Sequence, residues 1–350
     1  MDIYKSNLWF SDIDKVISFI PELSQLNGKA VLITGPTGLI CSALIDVLIR
    51  FNENYNGNVI IMAAGRSESA VSARFGKYSK REYFRYIRYD ASEPIDTDAK
   101  ADYIIHAAGN SSPDMIVKEP VETLLANIIG VNELCRYGKE ASAKRLLYIS
   151  SSEVYGKTHS DKPSEESDHG SIEILNSRNS YSIGKCAAEN LCLSYYEEYG
   201  LDTVIARPGH LYGPTAKKTD QHVSSVWAFS VSKGKDIVMK SDGSQLRSYV
   251  YCLDCASALI SILIKGAAAQ AYNISNPLSI KSIKEIAEIL SNAGSVKLRL
   301  EQPSQKEHRI FNPMSNSSLD SSKLIALGWK GLFDAETGFN HTIQILREAY

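Results

Sequence analysis

Ala30-Val31-Leu32-Ile33-Thr34 runs directly into Gly35-Pro36-Thr37-Gly38-Leu39-Ile40-Cys41, and this junction decides the fold. A short, apolar, partly β-branched run bounded by glycine reads as a buried strand. Two glycines three apart let the chain turn tightly and bring its backbone close to a pyrophosphate. The charge of that group then sits at the positive end of the next helix. Leu39 to Arg50 supplies that helix, with Leu39, Leu44 and Leu48 on one face. The junction is a candidate dinucleotide site, with Gly35, Thr37, Gly38, Leu39 and Ile40 at the cofactor. Cys41 holds the third small position, where helix packs on strand; a thiol crowds that contact without abolishing binding.

Outward from this unit the pattern repeats. Val59–Ala63, Tyr83–Arg88, Tyr103–His106, Arg145–Ser150 and Thr203–Arg207 read as further strands. Val121–Tyr137 and Tyr181–Tyr199 read as helices, the second ended by Gly200. Strand–helix alternation predicts an α/β fold with a Rossmann-type, doubly wound parallel sheet. After Arg207 the pattern loosens into Gly, Pro, Lys and Ser clusters, with amphipathic stretches at Ile283–Leu290 and Thr337–Ala349. We therefore expect residues 1–207, with 248–270 returning, to form the cofactor domain. Residues 208–247 and 271–350 would form a smaller, discontinuous α/β substrate domain. The second strand ends Ala63-Ala64-Gly65-Arg66-Ser67, without the acid that reads a ribose hydroxyl. Arg66 either pairs with the 2′-phosphate of NADP or stacks on the adenine of NAD, so both cofactors stay open.

Composition narrows the classes. A formal net charge of −2 over 350 residues gives no field for nucleic acid or an anionic membrane. No apolar run approaches the roughly 18 residues of a membrane span; the longest, Cys255–Ile264, stops at Lys265. The first residues mix acids and aromatics and lack the basic start of a signal peptide. Six scattered cysteines suit buried thiols in a reducing cytoplasm. Cys252 and Cys255 form an isolated pair without further ligands nearby, so packed thiols are favoured over zinc and no metal is expected.

Several motifs come one after another in a fixed order: TGPTGLI (34–40), Asp90-Ala91, HAAG (106–109), ISSSEVYG (149–156), YSIGK (181–185), RPGHLYGP (207–214), DGSQLRSYVYCLD (242–254), AYNIS (271–275) and LGW (327–329). In this the chain resembles the extended short-chain dehydrogenase/reductases, the NAD-dependent epimerase/dehydratase family, over nearly its whole length. The resemblance implies NAD or NADP as cofactor and a nucleotide sugar as substrate. It puts Asp90 and Ala91 at the adenine, and Ala107, Ala108 and Gly109 beside the nicotinamide. It also implies a homodimer through a four-helix bundle built from the helices near 121–137 and 181–199.

Tyr181 and Lys185 stand four apart, hence on one helix face. An ammonium beside a phenol favours the phenolate, so Tyr181 can take the proton of a sugar hydroxyl while hydride leaves the same carbon. Lys185 would also hold the nicotinamide ribose. By resemblance Ser151 is the catalytic Ser/Thr, and Ser111, Ser152, His210 and Arg247 contact the substrate. Arg247 would grip the diphosphate, and His210 stands where most relatives have Asn. An acid at the position of Glu153 takes the C5 proton in 4,6-dehydratases, whereas simple 4-epimerases carry a small or neutral residue there. We expect 4,6-dehydration first, then UDP-glucuronate decarboxylation, then 4-epimerisation. Decarboxylation needs a group for the substrate carboxylate, and no arginine lies between Gly213 and Arg247. An NADPH-dependent keto-sugar reductase, favoured by Arg66, is a further reading. A non-catalytic relative is disfavoured, because Tyr181 and Lys185 are both present.

Overall fold

A computed structural model describes residues 2–158, 160–301 and 314–350. The chain opens with a helix, α1 (Asn7–Phe19), capped by the Ser6 hydroxyl, which accepts from the Trp9 amide at 3.3 Å. Strand β1 (Ala30–Thr34) comes next and is buried at every residue. After it lie α2 (Leu39–Asn54), β2 (Ile60–Gly65), α3 (Glu68–Phe75), β3 (Phe84–Arg88) and β4 (Tyr103–His106). Helices α4 (Pro113–Lys118) and α5 (Pro120–Ala141) lead to β5 (Arg145–Ile149), and α6 (Ser180–Tyr199) to β6 (Thr203–Pro208). The seven-stranded sheet runs β10-β6-β5-β4-β1-β2-β3, with β10 at Gln270–Ile274 and every pairing parallel. Strand order reverses between β1 and β4. Open α/β sheets bind ligands at such a point, beyond the carboxyl ends of the strands.

One face of this sheet is covered by α5 and α6, through Val131, Leu134, Cys135, Ala188 and Cys192. The other carries α2 and α8 (Cys252–Lys265). Helix α2 is buried from Cys41 to Ile49 without a break, not on one face alone. The reason is α1, an element that the sequence pattern does not reveal, which lays Trp9, Ile13, Val16 and Ile17 into the core beside α2 and α8. Buried Asp46 fastens the joint. It accepts from Tyr4 Oη at 2.7 Å and Trp9 Nε1 at 3.1 Å, and pairs with Arg74 at 2.5 Å.

The smaller part begins with β7 (His210–Tyr212) and α7 (Val223–Ser232). Strand β9 (Leu246–Tyr251) pairs with β7, β11 (Ile280–Ser282) and β13 (Asn316–Ser317). Strand β8 (Ile237–Met239) pairs with β12 (Leu298–Leu300). Helices α9 (Ile283–Gly294), α10 (Ser322–Ile325) and α11 (Ala335–Ala349) complete it. The return to the large sheet differs from the expected 248–270. Strand β9 belongs to the small sheet, the return starts at α8, and it includes β10, which pairs with β6 through residue 274. Among the described residues no helix is long and apolar enough to cross a membrane.

Candidate active site

The glycine turn sits at the switch point. Gly35 adopts φ +67°, a conformation that disfavours any side chain. A Cβ there would meet the backbone of Ala107 and Ala108 at 3.4 Å, and one at Gly38 would meet the Gly35 carbonyl at 3.2 Å. Gly38 is the N-cap of α2 and supplies no side-chain cap, so no side chain takes up the amides of that first turn, which includes Leu39 and Ile40. A turn without Cβ atoms and with free helix amides fits a pyrophosphate. Cys41 is fully packed, and burial pushes its thiol up to about 12.

Thr34 ties the ends of β1 and β4 together. Its hydroxyl accepts from the Ala107 and Ala108 amides at 3.0 and 3.1 Å. The hydroxyl proton is therefore left for His106 Nδ1, 2.8 Å away. Burial and the nearby Lys185 charge push His106 down to about 3, so the imidazole is neutral. Ala107 and Ala108 are half-buried beside the glycine turn, whereas Gly109 and Ser111 are exposed on the loop beyond. Arg66 is exposed past the end of β2, close enough to Asp90 to help hold that carboxyl below its usual range, behind the Ser92 hydrogen bonds. Ala91 is buried against the site of Gly130.

The carboxyl end of β5 and the first turns of α6 bring Ser151, Glu153, Tyr181 and Lys185 together. Lys185, 6 % exposed, donates to the Ile149 carbonyl at 2.8 Å and lies 4.7 Å from the Tyr148 ring centroid. Burial pushes it down to about 7. Tyr181 is held well above the usual phenol range, by burial first and then by the Glu153 charge. Ser151, hydrogen-bonded to the phenol, and Arg178 act against that rise. Four-residue spacing makes Lys185 the expected source of the lowering. In the structure the ammonium donates one hydrogen bond to Ile149 and lies 5.6 Å from the Tyr181 ring centroid, while Ser151 and Arg178 are the groups that act against the rise.

Glu153 Oε2 accepts from Ser182 Oγ at 3.0 Å and stands 3.9 Å from Arg178 Nη1. Ser152 is buried in the short 3-10 turn that carries Glu153. Arg247 on β9 is 3 % exposed and uses two of its five N–H donors on the carbonyls of Leu246 and Met314, each at 2.8 Å. No ion pair to a carboxylate forms within 4.0 Å of it among the described residues. Burial weakens its hold on a proton, and the charge of Glu153 opposes that. An unmatched buried guanidinium calls for an anion. His210 on β7 has a buried Nδ1 without a hydrogen-bond partner, and burial with the Arg247 charge pushes it down to about 3. Arg178 and Ser182 also stand at this site and were not singled out from the sequence. Both flank Tyr181 in the chain, which was the available signal. Among the described residues no cluster of His, Cys, Asp or Glu is arranged to hold a metal.

A parallel sheet with a glycine turn at its switch point, and Ser, Tyr and Lys gathered at the end of β5, define a Rossmann-type enzyme of the extended short-chain dehydrogenase/reductase class. The chain belongs to the NAD dependent epimerase/dehydratase family, whose model matches residues 31–275. It is 31% identical over 260 residues to UDP-glucuronic acid decarboxylase 6 of Arabidopsis thaliana, covering 74% of this chain and 72% of that one. It is 26% identical over 331 residues to the dTDP-D-glucose 4,6-dehydratase of Homo sapiens, covering 92% and 91%. Among solved structures, a dTDP-glucose 4,6-dehydratase from Streptomyces venezuelae superposes with a TM-score of 0.77 at 21% identity, covering 91% of this chain and 97% of that one.

Proposed function

We propose that this protein is an NAD(P)-dependent nucleotide-sugar-modifying enzyme that works through transient oxidation at sugar C4. The observation that carries the reading is the convergence of Ser151, Tyr181 and Lys185 with a second acid–base group, Glu153, at the edge of the sheet where the glycine turn lies. When bound, the nicotinamide supplies hydride exchange with the sugar. Tyr181 takes the C4 hydroxyl proton, and Ser151 orients that hydroxyl and steadies the phenolate. Lys185 anchors the nicotinamide ribose. Oxidation at C4 acidifies the C5 proton, and Glu153, held by Ser182, removes it. The acid that Glu153 has become protonates the departing C6 hydroxyl, giving water and a C5–C6 double bond conjugated with the C4 ketone. Hydride then returns to C6 while a solvent proton adds at C5, completing a 4,6-dehydration with no net use of cofactor. Arg247 and His210 hold the diphosphate in the smaller half, which we assign, among the described residues, to 209–251, 275–301 and 314–350.

Arg178 favours a second reading, decarboxylation of a uronate. It brings a guanidinium beside Glu153 from outside the 213–247 stretch that lacks arginine, and its Nε is buried without a partner. Mass spectrometry after incubation with dTDP-glucose, CDP-glucose, GDP-mannose, UDP-glucuronate and UDP-N-acetylglucosamine separates the outcomes. Loss of water upholds dehydration and loss of carbon dioxide upholds decarboxylation. An isomer of unchanged mass would make the protein an epimerase and Glu153 a structural carboxylate. Net consumption of NADPH would make it a keto-sugar reductase.

Two further features belong to this reading. Val121, Leu125, Leu193 and Tyr196 are exposed on α5 and α6, which pack side by side, and this supports pairing with a second copy through four helices. Six free cysteines, five of them buried, support a reducing cytoplasm.

A further inference from the structure

The turn after β5 carries both Ser151 and Glu153, and it is gripped at each end by side chains that the reaction above does not use. At its start, the buried Ser150 amide donates to the Ala206 carbonyl of β6 at 2.7 Å. The Ser150 hydroxyl donates to Glu189 Oε1 at 2.5 Å. At the other end, the hydroxyl of buried Tyr155 accepts from Arg207 Nη1 at 3.0 Å and donates to Asn273 Oδ1 of β10 at 2.6 Å. Asn273 is itself fixed, its side-chain amide donating to the carbonyls of Ser164 and Asp320 at 2.9 Å each.

The two ends share one ion pair. Arg207 Nε and Nη2 donate to Glu189 Oε1 and Oε2 at 2.9 and 2.6 Å, between side chains only 12 and 11% exposed. Two parallel bonds from a planar guanidinium fix direction as well as distance. The remaining Arg207 nitrogen, besides meeting Tyr155, donates to the Glu166 carbonyl at 3.0 Å. Ser150, Glu189, Arg207 and Tyr155 therefore close a ring around residues 151–154. Glu189 stands one helical turn beyond Lys185, as Lys185 stands beyond Tyr181. Base, ammonium and anchor thus run along one side of α6, and the ring ties that side to the turn facing it.

We propose that Glu189 and Arg207 are positioning residues, a shared clamp on both ends of the 151–154 turn that holds Ser151 and Glu153 in register with Tyr181. The proposal rests on the nucleotide-sugar reading above and deepens it with two residues that act through the turn rather than on the substrate.

Tyr155→Phe and Ser150→Ala each release one end of the turn by the loss of a single hydroxyl. Arg207→Lys keeps the charge and gives up the two-pronged contact. Each full-length variant is compared with wild type, with NAD and with NADP, on the nucleotide sugar that wild type turns over. Steady-state rates and calorimetric affinities are read below the melting temperature of every variant. Turnover should fall by a factor on the order of 10 to 100, with affinity for the nucleotide sugar unchanged, because reacting groups are displaced while binding groups are not. Arg207→Lys should fall at least as far as Tyr155→Phe, since an ammonium cannot reproduce the fork. Adding Tyr155→Phe to Arg207→Lys should lower turnover little further, because both break the same ring. If Arg207→Lys does not fold, the two hydroxyl deletions decide alone. Wild-type turnover in folded Tyr155→Phe and Ser150→Ala overturns the proposal and leaves the nucleotide-sugar reading standing. Turnover and affinity lost in step would show a general loosening of the site and overturn it as well. A wild type that turns over none of the nucleotide sugars named above ends both.

Discussion

Tyr181 and Glu153 move their protons at different moments, and substitution separates the two events. Tyr181→Phe removes the group that takes the hydroxyl proton. Turnover should drop by a factor on the order of 10²–10⁴, with nucleotide-sugar affinity nearly unchanged, as read by steady-state rates beside calorimetry. Glu153→Gln leaves the first oxidation possible and blocks removal of the C5 proton. Reduced-nicotinamide absorbance should then build up on the enzyme while product formation falls by a similar factor; unaltered product formation would make Glu153 a structural carboxylate. That Tyr181 and Lys185 share a face of α6 was legible, because four-residue spacing on a helix is a geometric rule. The role of Thr34 was not, because a hydroxyl ending an apolar strand says nothing about amides 73 and 74 residues away. Nor does spacing reveal that the Lys185 ammonium turns onto the Ile149 carbonyl, since the partner is backbone.

Helices α1 and α8 carry the clearest consequences at the level of elements. Trp9 is fully buried between α1 and α2, so Trp9→Ala should destabilise the fold by about 3–5 kcal/mol in urea denaturation. Asp254, in the first turn of α8, accepts from the amides of Leu332 and Phe333 at 2.8 and 3.1 Å. Those bonds favour the carboxylate, yet complete burial outweighs them and pushes the group up to about 7. A carboxyl raised in the folded state contributes stability that is full below its unfolded value and lost as pH rises through the folded one. The wild-type melting temperature, compared with that of Asp254→Asn, should therefore decline more between pH 4 and 7. The comparison between variants matters because His106 and His210, kept neutral by burial, act in the opposite direction over that range. Strands β1, β2, β4, β5 and β6 could be read because each carries a compact apolar run; β10, which carries Gln270 and Asn273, does not read as a strand. Helix α7 could not: Ser224 and Ser225 are buried with Trp227, Ala228, Phe229 and Val231, and polar residues on the inner face erase the amphipathic period.

For the whole molecule, the α5–α6 face makes a prediction about assembly. Leu125→Glu puts a charge in the proposed four-helix contact and should convert a dimer into a monomer by light scattering at micromolar concentration. A wild-type protein that is already monomeric would end that reading. The division of the chain was legible only coarsely. Strands β9 and β10 are consecutive, separated by α8, yet belong to different sheets, and no composition shift in the sequence marks that change. Asp12 of α1 hydrogen-bonds Tyr251 and His341, 239 and 329 residues further on. During synthesis α1 can meet α2 early, through Asp46, but its remaining partners lie on α8 and α11, so that side of the core closes only after those helices have formed.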